Sequence, residues 1–129
     1  MADEADGGTK GRPIVLVVED DAQVRLMIEV ALTDEGFFVL EAATADDARV
    51  LLEANSDVRV LLTDVEMPGS IDGFTLAHAA RAASPSMGVI VCSARIYPDE
   101  GAMPVGAQFL QKPVRPSTLV SLVSKLAGM

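Results

Sequence analysis

Acidic side chains gather at the ends of two apolar stretches of this sequence. Glu19, Asp20 and Asp21 directly follow the first stretch, and Asp64 closes the third. Two carboxylates about 4 Å apart repel each other by roughly 4 kcal/mol at an effective dielectric of 20, so such a cluster calls for a cation. Oxygen ligands select a hard ion, and Mg²⁺ suits a site that has few carboxylates and room for phosphate oxygens.

Two further polar side chains follow later apolar stretches. Ser93 ends the fourth and Lys112 follows the fifth. A hydroxyl and an ammonium can both donate hydrogen bonds to phosphate oxygens, and Asp64 could act as a nucleophile because carboxylates form aspartyl-phosphates. Taken singly, the three consecutive acids fit a helix cap and Asp64 fits a solvated loop. Their common position at predicted strand ends favours phosphoryl chemistry.

The elements that must position these groups are short strands alternating with helices. Most of the apolar stretches lack polar alternation, as expected of strands covered by helices on both faces. The predicted strands are residues 14–18, 37–40, 58–62, 89–92 and 108–110, and helical patterns lie near 24–32, 45–53, 73–83 and 116–126. This alternation predicts an α/β fold, a doubly wound five-stranded parallel sheet, whose ligands bind at the carboxyl ends of the strands.

Composition limits the chain to one domain. Its 129 residues are 50% apolar, and its net charge of −9 opposes binding to nucleic acids or to anionic membranes. The single Cys92 excludes an internal disulfide and is predicted to be a buried, inert thiol. The sequence has no signal-peptide pattern, and no apolar run approaches the ~20 residues of a membrane helix. We predict a cytoplasmic protein with a flexible tail at residues 1–12, one domain at residues 13–127 and no separate output domain.

Four motifs carry a family resemblance. The stretches IVLVVEDDAQVR, LLTDVEMPGSIDG, IVCSA and GAQFLQKPV stand in the order typical of response-regulator receiver domains. These domains are the phosphoacceptor modules of bacterial two-component signalling, and the chain resembles them from about Pro13 to Leu126. The resemblance implies a flavodoxin-like strand order of 2-1-3-4-5.

The resemblance also implies a metal site. Asp64 would be the phosphorylated residue and also a ligand of Mg²⁺ or Mn²⁺. Glu19 and Asp20 would be the acidic pair at the ion, Asp20 as a direct ligand and Glu19 through water. Glu66 would contribute its backbone carbonyl to the ion. Asp21 has no implied role and is predicted to cap the first helix.

Further roles concern the phosphoryl group and the switch. The resemblance implies that Lys112 binds phosphate oxygens and that a cis peptide bond joins it to Pro113. It also implies that Ser93 and Phe109 are the two switch residues. Without the resemblance, Phe109 would be interpreted as a core aromatic residue. Glu66 and Arg95 each lie two residues beyond a functional position, so we predict that they pair across the site mouth and restrict attacking water.

The sequence departs from the family pattern in two places. The loop from Met67 to Gly73 is one residue longer than the common form. Pro98 and Pro104 leave room only for a short or irregular fourth helix. The usual receiver dimer face uses that helix, so we do not expect this protein to use that face in the usual way.

These observations predict a single-domain response regulator. It would accept a phosphoryl group on Asp64 from a histidine kinase or a histidine phosphotransfer protein and would switch contacts with an unidentified effector protein. It would promote only its own phosphorylation and dephosphorylation. The alternative is a phosphotransfer intermediate or phosphate sink. A remote alternative is a Mg²⁺-dependent phosphohydrolase, although the nucleophile motif of those enzymes has a second aspartate where this chain has Glu66.

Overall fold

Five strands and four helices make up the described chain. The computed structural model describes residues 11–99 and 101–128, so the predicted tail lies, up to residue 10, outside the described residues. The elements, in chain order, are β1 (Ile14–Val18), α1 (Ala22–Asp34), β2 (Phe38–Ala42), α2 (Ala45–Ala54), β3 (Val58–Asp64), α3 (Gly73–Ala83), β4 (Gly88–Ser93), β5 (Gln108–Gln111) and α4 (Pro116–Leu126).

The strands form one parallel sheet in the order β2-β1-β3-β4-β5. This confirms the predicted doubly wound architecture and its strand order. Every residue of β1 and β4 is buried, which explains why their sequences show no polar alternation. β3 and β4 run slightly further than predicted, so that Asp64 and Ser93 are the last residues of their strands.

Alternate residues of each strand enter cores on opposite faces of the sheet. On one face Leu16 and Leu61 pack in a cluster with Leu76 of α3. On the other, Val15 and Val17 pack with Leu32 of α1 and with residues of α4. This two-sided packing fixes the carboxyl ends of the strands along one edge.

The segment between β4 and β5 forms bends and turns. Its described residues, 94–99 and 101–107, are here called the β4–β5 loop and include no helix. Pro98 and Pro104 lack the N–H that a helix needs, and Gly101 and Gly106 adopt positive φ angles of +84° and +82°. The described chain therefore has four helices, and this loop stands where the sequence predicted a short or irregular fourth helix.

No helix in the described residues is both long enough and apolar enough to cross a membrane.

Candidate functional site

Three carboxylates meet at the carboxyl edge of the sheet. Glu19 follows β1, Asp20 is next to it, and Asp64 ends the neighbouring β3. One oxygen from each carboxylate lies within 4.8 Å of the others. Glu19 is buried at 4% exposure, whereas Asp20 is exposed. The structure thus brings together the acidic residues that the sequence placed at two separate strand ends.

Lys112 lies between two of these carboxylates. Its Nζ is 2.9 Å from Glu19 Oε1 and 3.0 Å from Asp64 Oδ1. Burial lowers the pKa of the Lys112 ammonium, but hydrogen bonds from it to Glu19 and Asp64 outweigh that effect and raise the pKa above its ordinary value. The ammonium therefore stays charged and balances part of the acidic cluster.

Asp64 is held in the same ion-pair network. Burial raises the pKa of the Asp64 carboxyl above its usual range, against the lowering effect of the hydrogen bond from Lys112. The backbone after Lys112 has the cis bond to Pro113 that the family resemblance implies. The Lys112 amide donates to the Ser93 carbonyl at 2.9 Å, which joins the end of β5 to the end of β4.

Arg25 stabilises the turn that contains Glu19 and Asp20. Its Nη1 donates to the backbone carbonyl of Glu19 at 2.7 Å, and its Nε donates to Glu41 Oε1 at 3.2 Å. Asp21 caps α1 as predicted, since its side chain accepts from the amides of residues 23 and 24. Sequence reasoning missed Arg25, although a basic residue in the first turn after an acidic strand end was an available signal.

Gly73 packs against the backbone of Asp64. Its amide donates to the Val65 carbonyl at 2.9 Å, and a Cβ added to it would lie 2.0 Å from the Asp64 carbonyl oxygen. The first residue of α3 therefore has space only for hydrogen at this position. The sequence showed a glycine at a helix start but gave no sign of this contact.

Ser93 is buried at 2% exposure and anchors the start of the β4–β5 loop. Its Oγ accepts from the amides of Arg95 at 3.2 Å and Ile96 at 2.9 Å. Its neighbour Cys92 is a free, buried cysteine, and burial raises the pKa of that thiol to about 12. Cys92 is thus a protonated thiol at neutral pH, in line with the inert role predicted for it.

Glu66 and Arg95 lie together at the solvent side of the site. Arg95 Nη2 is 3.4 Å from Glu66 Oε2, and the two side chains are 80% and 43% exposed for Arg95 and Glu66 respectively. An exposed pair of this kind contributes about 0–1 kcal/mol to stability. The pairing that the sequence predicted is thus present in the geometry, with little effect on folding.

Phe109 in β5 is half-buried and is covered by Tyr97 from the β4–β5 loop. Their ring centroids are 5.5 Å apart at an interplanar angle of 43°. The Tyr97 hydroxyl donates to the side-chain oxygen of Gln111. Sequence reasoning missed Tyr97, which is the single tyrosine of the chain and lies four residues after Ser93.

The longer loop after β3 is attached to the start of α2. Ser70 donates to the Asp46 carboxylate twice, from its amide at 3.1 Å and from its hydroxyl at 2.6 Å. These hydrogen bonds lower the pKa of the Asp46 carboxyl. Asp72 then caps α3 by accepting from the Thr75 amide at 2.9 Å. The loop next to Asp64 is therefore held at its middle and at the end that leads into α3.

An apolar cleft of about 410 Å³ opens beside the acidic cluster. Its walls include apolar side chains of α1 and of the start of α4, and its polar end includes Glu19, Asp64 and Lys112. On α1, Leu26 and Val30 are also exposed to solvent, at 59% and 48%. The acidic site is thus bordered by an apolar surface.

Comparison with known proteins identifies this arrangement. A family model described as the response regulator receiver domain matches residues 15–124. The chain belongs to the response regulator receiver domain family. Among solved structures, this receiver resembles a response regulator receiver protein from Sinorhizobium medicae, with a TM-score of 0.85 and 25% identity over 91% of this chain and 95% of that one. It also resembles the receiver domain of the hybrid histidine kinase CckA, with a TM-score of 0.77 and 34% identity over 88% of this chain and 98% of that one.

Curated relatives are longer proteins. The receiver is 34% identical over 123 residues to the transcriptional regulatory protein AruR of Pseudomonas aeruginosa, covering 88% of this chain and 49% of that protein. It is 33% identical over 119 residues to the transcriptional regulatory protein PrrA of Mycobacterium tuberculosis, covering 91% of this chain and 49% of that protein. The chain thus spans about half the length of the curated relatives it matches.

The donor set of this receiver fits the metal that the family uses. Receiver domains bind Mg²⁺ at an acidic pocket, and here Glu19, Asp20 and Asp64 present only carboxylate oxygens within a small volume. Hard oxygen donors in this number leave room for water and for phosphate oxygens, as Mg²⁺ requires. The chemistry of the cluster therefore agrees with the family.

Proposed function

We propose that this receiver accepts a phosphoryl group on Asp64 from the phosphohistidine of a histidine kinase or a histidine phosphotransfer protein. It would act in the cytoplasm, and the added charge would change its contacts with an effector protein. The observation that carries the proposal is the position of Lys112, whose ammonium lies 3.0 Å from an Asp64 oxygen beside two more carboxylates. This is the combination of nucleophile and cation that phosphoryl transfer needs.

The transfer is mainly a matter of positioning. An Asp64 oxygen attacks phosphorus, and the new O–P bond forms as the P–N bond to the donor histidine breaks. The electron pair of the P–N bond stays on that nitrogen, and the imidazole leaves as a neutral ring that keeps the proton on its other nitrogen. Lys112 is placed to donate to an oxygen of the incoming group, and Ser93 has a hydroxyl proton to offer to another. Bound at Glu19, Asp20, Asp64 and the Glu66 carbonyl, Mg²⁺ would neutralise charge on the transferred group.

The donor protein must cover the surface around Asp64 to bring its histidine into reach. The apolar side chains of Leu26, Met27 and Val30 are exposed on α1, and Met27 also lines the cleft beside Asp64. An apolar surface at this place suits a protein partner that excludes water from the reacting groups. We therefore assign the exposed face of α1 to the phosphodonor protein.

The first test of the proposal is the intact mass of the protein after incubation with phosphoramidate, a small donor with a P–N bond. We expect one phosphate adduct that depends on Mg²⁺ and is absent from Asp64→Asn, because that variant has no carboxylate to attack phosphorus. Asp57→Asn, an exposed acid before β3, serves as the matched control and should be phosphorylated like the wild type. A phosphate adduct on Asp64→Asn would overturn the proposal. The proposal would also be overturned if the wild type formed no adduct in the presence of Mg²⁺.

A phosphotransfer intermediate is the second candidate. The observation in its favour is the 34% identity to the receiver of CckA, which is part of a hybrid histidine kinase. The two functions differ in the fate of the phosphoryl group. Transfer from phosphorylated Asp64 back to a histidine phosphotransfer protein would identify an intermediate, whereas hydrolysis alone would identify a switch or a sink.

The surface used for output also differs from the family's usual one. The usual dimer face includes a helix between the last two strands, and here that place is taken by the β4–β5 loop. We propose that output uses protein contacts other than that usual dimer. The net charge of −9 further opposes direct binding of this chain to nucleic-acid phosphates.

Glu66 and Arg95 are proposed to control the lifetime of the phosphorylated state. Their side chains pair at 3.4 Å beside Asp64 and would obstruct water that attacks the phosphorylated residue. We expect Glu66→Ala and Arg95→Ala each to speed loss of the phosphate by about threefold, the rate effect of roughly 0.7 kcal/mol. Decay of the adduct mass measures this rate, with the exposed Glu53→Ala on α2 as the control. Wild-type lifetimes in both variants would remove the assignment.

A further inference from the structure

Arg25 lies in the first turn of α1 and reaches the strand end that carries the acidic pair. Its guanidinium donates to two acceptors, the Glu19 carbonyl at 2.7 Å and the Glu41 carboxylate at 3.2 Å. Glu41 belongs to β2, so this one side chain connects α1, the end of β1 and the strand beside it. Arg25 is 22% exposed, which makes this contact a partly buried one.

The Glu19 carbonyl needs this partner. Glu19 lies just past β1 and is only 4% exposed, so a carbonyl left unpaired there would be costly. The Glu19 amide is bonded to the Ala42 carbonyl at 3.0 Å, and one Glu19 carboxylate oxygen accepts from the Asp21 amide at 3.1 Å. Arg25 donates to the Glu19 carbonyl, so that the amide, the carboxylate and the carbonyl of Glu19 are all hydrogen-bonded.

The direction of Asp20 depends on the same turn. Asp20 lies between Glu19 and Asp21, and its exposed side chain offers an oxygen to the three-carboxylate cluster. Its neighbours are both fixed, Asp21 by capping α1 and Glu19 by Arg25. A residue that fixes the backbone on one side of Asp20 therefore influences where that carboxylate lies.

We propose that Arg25 is a positioning residue for the Mg²⁺ site, because its bond to the Glu19 carbonyl sets the geometry of the Glu19–Asp20 pair. The inference rests on the proposed function for the identity of the metal. Loss of residues that orient metal ligands typically weakens metal affinity by about 10–100-fold. The positive charge of Arg25 has the opposite effect on Mg²⁺ affinity, because a cation near the site repels Mg²⁺. The two effects therefore predict opposite changes when Arg25 is removed.

The test is calorimetric titration of the whole chain with Mg²⁺ at fixed ionic strength. We expect Arg25→Ala to weaken Mg²⁺ binding by about tenfold, and Arg25→Lys, which keeps one donor and the charge, to lie between it and the wild type. Glu41→Gln should stay within about threefold of the wild type, since the bond from Arg25 to Glu19 remains. Arg49→Ala, which removes an exposed charge on α2, is the matched control.

Thermal unfolding without metal separates positioning from general stability. A lower Tm of Arg25→Ala with unchanged Mg²⁺ affinity would overturn the inference, and so would tighter binding. Where Arg25→Ala does not fold, Arg25→Lys decides, and an affinity equal to the wild type would overturn the inference as well. Normal Mg²⁺ binding without any phosphate adduct on the wild type would instead contradict the proposed function.

Discussion

Gly73→Ala is expected to lower the free energy of unfolding by about 3 kcal/mol, the upper range for overpacking, and to slow phosphorylation of Asp64. The added Cβ would lie 2.0 Å from the Asp64 carbonyl oxygen, 2.8 Å from its carbonyl carbon and 2.9 Å from Val65 Cα. All three are backbone atoms, so no side-chain rotation can relieve the contact. The start of α3 must move away from β3, and the backbone of the phosphoacceptor moves with it.

Gly101→Ala is the matched control for the same chemical change. Apart from its two chain neighbours, no described residue has an atom within 4 Å of a Cβ at Gly101, and its φ of +84° is what opposes a side chain. We expect a loss of about 1–2 kcal/mol there and wild-type phosphorylation. Chemical denaturation and intact mass measure the two effects. Equal stability of the two variants, with equal phosphorylation, would contradict the role given to Gly73.

The positions of strands and of the main site groups were accessible from the sequence. Continuous apolar runs identify buried parallel strands, and the rule that ligands bind at their carboxyl ends places Glu19, Asp64 and Lys112 on one edge. These inferences need only the period of the apolar residues and the order of the elements. The confirmed strand order was implied by the family resemblance, since the apolar pattern alone does not choose among parallel orders.

The contacts that refine the site were not accessible in the same way. Arg25 bonds to a backbone carbonyl and Gly73 abuts one, and neither interaction leaves a trace in hydrophobic periodicity. Tyr97 reaches Phe109 only because the β4–β5 loop follows a particular path. Pro98 and Pro104 indicated that a regular helix there was unfavourable, but the loop that replaces it depends on contacts with α3 and β5. One such contact joins His78 Nε2 and the Ala102 carbonyl at 2.9 Å.

Lys112→Met is expected to slow phosphorylation of Asp64 by roughly 10²–10³-fold, the effect typical of removing one donor to a developing charge. Methionine keeps much of the length of the side chain and removes its charge. The variant should also be less stable in metal-free buffer, because Glu19 and Asp64 lose the ammonium that lies within 3.0 Å of each. Breaking a buried pair costs about 3–5 kcal/mol, and since Lys112 is 27% exposed we expect a loss of about 2 kcal/mol.

The lost stability should depend on pH and on metal in a defined direction. Burial already raises the pKa of Asp64, and removal of Lys112 takes away the hydrogen bond that lowers it, so the pKa rises further. A folded-state pKa above the unfolded value means that the folded state takes up protons more readily. The deficit of the variant is therefore present at neutral pH and shrinks as the pH falls toward about 4. Mg²⁺ should likewise raise the Tm of Lys112→Met by more than it raises the Tm of the wild type.

The response to Mg²⁺ separates two roles of Lys112, balancing the carboxylates and positioning the phosphoryl group. A divalent cation can replace the ammonium as a counter-charge, but it cannot supply the N–H donors that Lys112 would direct at a phosphoryl oxygen. We therefore expect saturating Mg²⁺ to restore the stability of Lys112→Met and to leave its phosphorylation slow. Lys125→Met, in the last turn of α4, is the control and should match the wild type in both measurements. If Mg²⁺ restored the rate of phosphorylation together with the Tm, Lys112 would act as a counter-ion alone.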